Sequence, residues 1–292
     1  MSRFSEAATR EFRDLITECE DGEESLLDYD VVRDLLDRGA DFNAQDPRTG
    51  NTALQSGLEM FLFEHDPALF RRTFDTIFDF PEARIDLPNA QGQSLIHLLL
   101  ELRTVEYLGV VLRDPHGRGL RVVDLKDRGP EGNAPLHYAC DSTELPLEKA
   151  RLLLDAGANV NTLNDAGASP LNRLMGTRWV PTRDIAQLLI DRGADTNLQD
   201  ADGMAPLHNA IRHGRDRDVV ELLLSVRETR LDDLVLEMAQ HAGMGDLVAD
   251  EMASRRLERQ LAFGQGLHPR LGKRSLVHGL NCDVLGCVFP HF

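Results

Sequence analysis

The stretch "RLLLDAGANVNTLNDAGASPLNRLM", residues 151–175, carries the reading that decides the fold. Leu152, Leu153 and Leu154 close an apolar helical run, and Gly157 follows it. A glycine just past such a run ends a helix, because the left-handed backbone there costs any residue with a Cβ steric energy. Ser169 and Pro170 then open a new helix. The hydroxyl can take a free amide of the first turn, and proline suits the first helical position. Between them "NDAG" (164–167) supplies turn chemistry. The stretch therefore reads as helix end, turn, helix start.

Working outward, the same pieces recur. "VVRDLLDRGADFN" (31–43), "KARLLLDAGANVN" (149–161) and "IAQLLIDRGADTN" (185–197) align without gaps, with Gly39 and Gly193 in the place of Gly157. A second block recurs as "NTALQ" (51–55), "QSLIH" (93–97), "NAPLH" (133–137), "ASPLN" (168–172) and "MAPLH" (204–208). Pro135, Pro170 and Pro206 each mark a helix start. Two blocks alternating at one period predict a row of like units, each a turn, a helix, a loop and a second helix.

The "PLH" starts and the "GADFN" ends resemble the ankyrin repeat, whose signature is T-P-L-H-x-A. "APLHYAC" (134–140) and "APLHNAI" (205–211) are similar to it, and the resemblance covers roughly residues 10–260. It implies an all-α solenoid of stacked helix-turn-helix units with short turn or hairpin tips. On that reading the solenoid spans 1–262. Its units run over 8–44, 45–89, 90–126, 127–164, 165–200 and 201–231, and a cap covers 232–262. Residues 263–292 form a tail, flexible or docked. The cap pairs Ala239 with Val248 as the sixth unit pairs Ala210 with Val219, and its polar "ASRRLERQ" suits a last helix facing water. Ala134 and Ala205 stand where the family has threonine. Losing that hydroxyl costs about 1 kcal/mol unless Asn133 or a neighbour substitutes.

The resemblance also disposes of a catalytic reading of "HYAC" (137–140). It implies that His97, His137 and His208 tie neighbouring repeats together through backbone hydrogen bonds, with Gln55 and Asn172 in the same place. A catalytic histidine would not be copied from repeat to repeat. Cys140 replaces an alanine and reads as a small hydrophobe. Phosphate loops, HExxH and GxSxG are absent from the sequence. The chain reads as a non-enzymatic binding module, scaffold or adaptor without a cofactor.

Charge narrows the partner. The formal net charge is −17, from 49 acidic and 32 basic residues among 292. That repels a nucleic-acid backbone and favours another protein, in particular a basic segment. Aromatics are only 5%, which suits helices better than a β-sandwich. Four scattered cysteines make no disulfide framework. The charged N-terminus lacks an apolar signal core, and no run of about 18 apolar residues exists to span a membrane. The expectation is a monomer in the cytoplasm or nucleus.

The resemblance places partner contacts on turn tips and on the exposed face of the inner helices. Those positions are Arg128, Glu131, Tyr138, Asp141, Asp165, Arg173, Asp202, Asn209, Arg212 and His213. Trp179, the sole tryptophan, joins them as a binding hot spot or else covers the core beneath its loop. Phe70, Phe74, Ile77 and Phe78 share one helix face and read as core. Asn43, Asn161 and Asn197 resemble a position that asparaginyl hydroxylases modify in some ankyrin repeats, or else stabilise the turn with their amides. In the tail, His278, Cys282, Cys287 and His291 carry spacings within zinc-ligand range. That motif makes a metal- or redox-responsive regulator the alternative function, against a tail docked by Val284, Leu285, Val288 and Phe289.

Overall fold

The computed structural model describes residues 5–20, 29–41, 43–56, 58, 71, 74–75, 78, 83–103, 105–113, 130–177 and 182–264. The chain divides into two compact units, residues 1–206 and 207–292. Among the described residues the structure is helical, and the one β pairing is an isolated antiparallel bridge between Gln45 and Thr52.

In the first unit the helices whose bounds fall within the described residues are α1 (Glu6–Glu20), α2 (Tyr29–Asp37), α3 (Leu95–Leu99), α4 (Glu106–Leu112), α5 (Pro135–Asp141), α6 (Pro146–Asp155), α7 (Pro170–Gly176) and α8 (Thr182–Asp191). They form antiparallel pairs, α5 with α6 and α7 with α8, and each pair packs on the next through α5–α7 and α6–α8. The inner helices are the shorter ones, α3, α5 and α7, and the outer helices are α4, α6 and α8.

The sequence explains where these helices start and stop. Ser169 Oγ accepts the Asn172 amide, and Pro170 holds the first position of α7. In α5 the start residue is Ala134, which has no side-chain cap. Asn133 does not substitute: its amide donates to Glu131 Oε2 at 3.4 Å, and its oxygen accepts Asn164 Nδ2 at 2.8 Å. The outer helices end alike. Ala40, Ala158 and Ala194 each donate an N–H to the leucine carbonyl five residues back, on Leu35, Leu153 and Leu189. That closure needs a left-handed residue between, and Gly157 supplies it with φ 94°.

Stacking the pairs buries one apolar seam. Leu136, Ala139, Cys140, Ala150, Leu153, Leu171, Leu174, Ile185 and Leu189 are all buried. Each leucine so placed contributes about 1.5–3 kcal/mol. Phe74 and Phe78 are buried too, their rings stacked with centroids 5.0 Å apart, and Tyr107 meets Phe74 edge-on. Phe70 and Ile77 lie outside the described residues.

The second unit holds most of α9 (Pro206–Arg212), then α10 (Arg217–Ser225), α11 (Asp233–His241) and α12 (Gly245–Gly264). α11 packs antiparallel on α12, with Val235, Ala239 and Val248 buried between them. Asp232 starts α11 by accepting the Val235 amide at 2.9 Å. Residues 256–261 of α12 are exposed on every side. Among the described residues no helix is long and apolar enough to cross a membrane.

Candidate protein-binding face

Among the described residues of the first unit, the inner helices bring charged and aromatic side chains together. The register is set by the last residue of each start motif. His137 Nδ1 accepts the Ala134 amide at 3.1 Å, which closes the first turn of α5. Its Nε2 donates to the Ala168 carbonyl of the next repeat at 2.9 Å. Asn172 does the same in α7, giving its amide to Leu198 O at 2.9 Å. Gln55 gives its amide to Leu87 O and Gln93 O, both at 3.0 Å. Burial lowers the His137 imidazole pKa, and the two backbone bonds work against the shift. It is held neutral as a donor between repeats, with no substrate-facing nitrogen.

One residue on, Tyr138 turns out of that seam and is half-buried on the inner-helix face. Its ring meets His97 of the preceding repeat edge-on, centroids 5.0 Å apart. Burial raises its phenol pKa; Glu131, Glu101 and Asp141 push the same way, and Arg173 opposes them. Arg173 Nε donates to Asp141 Oδ2, and its Nη1 lies 3.9 Å from Glu131 Oε2. Asp141 Oδ1 is buried without a hydrogen-bond partner. Burial raises the Asp141 carboxyl pKa, and Arg173 lowers it. Partly exposed ion pairs of this kind contribute roughly 0–1 kcal/mol, so their value lies in placing charge more than in holding the fold.

Glu131 reaches this cluster from a strained turn. Its φ is 64°, left-handed for a residue with a side chain, next to Gly132 at 66°. A Cβ at Gly132 would collide with the Asp165 carboxylate, so glycine there lets the following tip lie close. Asp165 and Asp202 are exposed on their own tips.

The structure thus gathers Glu131, Tyr138, Asp141 and Arg173, and pairs Arg173 with two of the acids. Asp165 adjoins them through its amide bond to the Glu131 carbonyl at 3.1 Å. In the second unit Arg212 and His213 are exposed, whereas Asn209 is only 6% exposed and has its side chain withdrawn from the face. Arg128, Trp179, His278, Cys282, Cys287 and His291 lie outside the described residues. Among the described residues no group of His, Cys, Asp or Glu could hold a metal ion.

Two contributors escape a motif search. Glu101 borders Tyr138 just past α3; burial raises its carboxyl pKa, and Gln93 and Lys149 lower it. Lys149 is fully buried on α6, four residues before the core Leu153 and so on the same helical face. That spacing is the signal by which it could have been found. Cys140 is also fully buried, and burial pushes its thiol pKa far up, which leaves it inert. The turn amides are engaged as well. Asn161 Nδ2 donates to Gly193 O at 3.1 Å, its oxygen accepts the Asp195 amide at 2.8 Å, and Asn43 Oδ1 accepts the Arg84 amide at 2.6 Å.

Residues 147–235 match the family model for ankyrin repeats, in three copies. Among solved structures, an ankyrin repeat domain from Acinetobacter baumannii is similar, with a TM-score of 0.57 and 23% identity. The match covers 73% of this chain and 96% of that one. No curated protein matches.

Proposed function

This chain is an ankyrin-repeat protein, and we propose that it binds another protein through the inner-helix face built by Glu131, Tyr138, Asp141 and Arg173. It acts as a non-enzymatic adaptor or scaffold. Fold alone does not assign a partner, so the reading rests on this face. The observation that carries it is the half-buried Tyr138 ring, standing among three carboxylates and one guanidinium. Tyrosine, with a polar hydroxyl and an apolar ring, is among the side chains enriched at protein interfaces. The carboxylates outnumber the cation, and the whole chain carries −17. The partner is a segment rich in lysine or arginine, steered in by that charge and seated with a cationic head over the ring.

The test is titration of the full chain with a lysine-rich dodecapeptide, followed by calorimetry. Wild type binds with an affinity that falls steeply with salt. Tyr138→Ala weakens binding at least fivefold, and so does the pair Glu131→Gln with Asp141→Asn. A charge-matched control, Glu237→Gln with Asp250→Asn in the second unit, changes it less than twofold. Equal losses in both pairs would mean that only net charge is being read, and the assignment of this face would fall.

A further inference from the structure

Two bonds recur between repeats in one register. At the turn tips, the amide seven residues before the motif position donates to the carbonyl six residues before the motif position of the preceding repeat. Ala90 donates to Thr49 O at 2.8 Å, Asp165 to Glu131 O at 3.1 Å, and Ala201 to Ala166 O at 2.8 Å. Behind the tips, the motif side chain donates to the next repeat's backbone, as Gln55, His137 and Asn172 do.

Between the third and fourth repeats the tip bond is missing and the motif bond is weakened. The residue in the donor register is Pro130, which has no N–H to offer the Gln91 carbonyl. The motif bond is weaker there: His97 Nε2 is buried outside good hydrogen-bond geometry, although the backbone of Asn133, which holds the place of Ala168, still acts on the ring. Packing changes in the inner row, where α3 touches α5 far less extensively than α5 touches α7, while the outer helices α4 and α6 pack nearly as α6 and α8 do. What bridges the two repeats is a side chain from the outer row. Lys149 Nζ on α6 donates to the Leu100 carbonyl past the end of α3 at 2.7 Å. The same Nζ donates to Ser142 Oγ past the end of α5, also at 2.7 Å. The residues that follow Leu100 and precede Ser142 are Glu101 and Asp141.

We infer that the junction between the third and fourth repeats is a joint in the first unit, and that Lys149 is the latch that sets its resting spacing. In a row of units stability is a sum of unit and neighbour terms, so the neighbour term with the fewest ties opens first. Loss of the tip bond, a weakened motif bond and thin inner-helix packing make this junction that term. Opening it changes the distance between Glu101 on one side and Tyr138 and Asp141 on the other. The joint follows from intramolecular bonds alone and stands whether or not this face is where a partner binds.

Hydrogen exchange of the full chain without partner, read by mass spectrometry, tests it. In wild type the amides of 95–102 exchange at least tenfold faster than those of 170–176. Lys149→Met raises exchange at 98–102 and 134–142 at least fivefold further and changes 170–176 less than twofold. Pro130→Ala returns a donor opposite the Gln91 carbonyl and slows exchange over 89–102. Should Lys149→Met not fold, wild type and Pro130→Ala decide the matter alone. Equal protection of 95–102 and 170–176 in wild type overturns the joint. A uniform rise along the unit in Lys149→Met, or no slowing in Pro130→Ala, overturns the latch or the missing tie.

Discussion

His137 on α5 joins two repeats through one ring, taking the Ala134 amide on Nδ1 and reaching the Ala168 carbonyl with Nε2 at 2.9 Å. Because Nδ1 accepts, the ring proton must sit on Nε2. His137→Ala strands a buried amide and a carbonyl together and costs about 2–3 kcal/mol. His137→Gln costs less than half of that, since Gln55 makes the equivalent bonds in the second repeat, accepting the Thr52 amide and donating to Gln93 O. Urea unfolding of the two variants checks the order. Equal losses would place the cost in cavity formation instead of hydrogen bonding.

Leu153 is fully buried where α6 meets its neighbours, so Leu153→Ala removes methyl groups that no other side chain replaces. The expected loss is about 2–5 kcal/mol. A thermal midpoint equal to wild type would remove Leu153 from the seam.

Lys149 gives a pH signature. Burial lowers its pKa to about 8, with Glu144 and Glu101 pulling the other way. The unfolded chain holds this proton to a pH of roughly 10.4. Between those values the unfolded state binds more protons than the folded one, so the contribution of Lys149 to stability rises with pH. A neutral amine still has two N–H groups, enough for Leu100 O and Ser142 Oγ. Wild type minus Lys149→Met, measured by denaturant unfolding from pH 7 to 11, should climb through that window. A flat difference would mean that the ammonium is not desolvated.

Arg255 clamps the second unit. Its Nε donates to Glu251 Oε1 at 2.6 Å, while its two Nη groups reach the carbonyls of Leu224, Val226, Arg227 and Thr229. Four donors are used on the end of α10 and the loop beyond it, and the fifth on Glu251 of α12 itself. Arg255→Lys keeps the charge but loses the planar fork, and should cost about 1–3 kcal/mol. Unfolding of the full chain followed by circular dichroism reads it. An unchanged midpoint would leave the clamp without energetic weight.

Much of this molecule is legible along the chain. Leu153 with Gly157, and Ser169 with Pro170, mark a helix end and a helix start because capping depends on neighbours within a few residues. Their recurrence at one period is what makes the row of helix pairs readable. The inner-helix face is legible in part. Tyr138 and Arg173 follow from their register beside the motif histidine and asparagine.

Position along the chain could not reveal which groups meet across repeats. Arg173 and Asp141 are 32 residues apart, and Lys149 and Leu100 are 49 apart. The four-residue spacing to Leu153 puts Lys149 on the core face of its helix, but only the stack shows which carbonyl it meets. The same holds for Asn133, which is a neighbour of the α5 start in sequence but is drawn to Asn164 by the adjoining tip. Local sequence sets caps and helix faces because those forces act over one turn. Burial, ion pairing and the weakened tie at His97 were decided by tertiary structure, because each depends on what the next repeat presents.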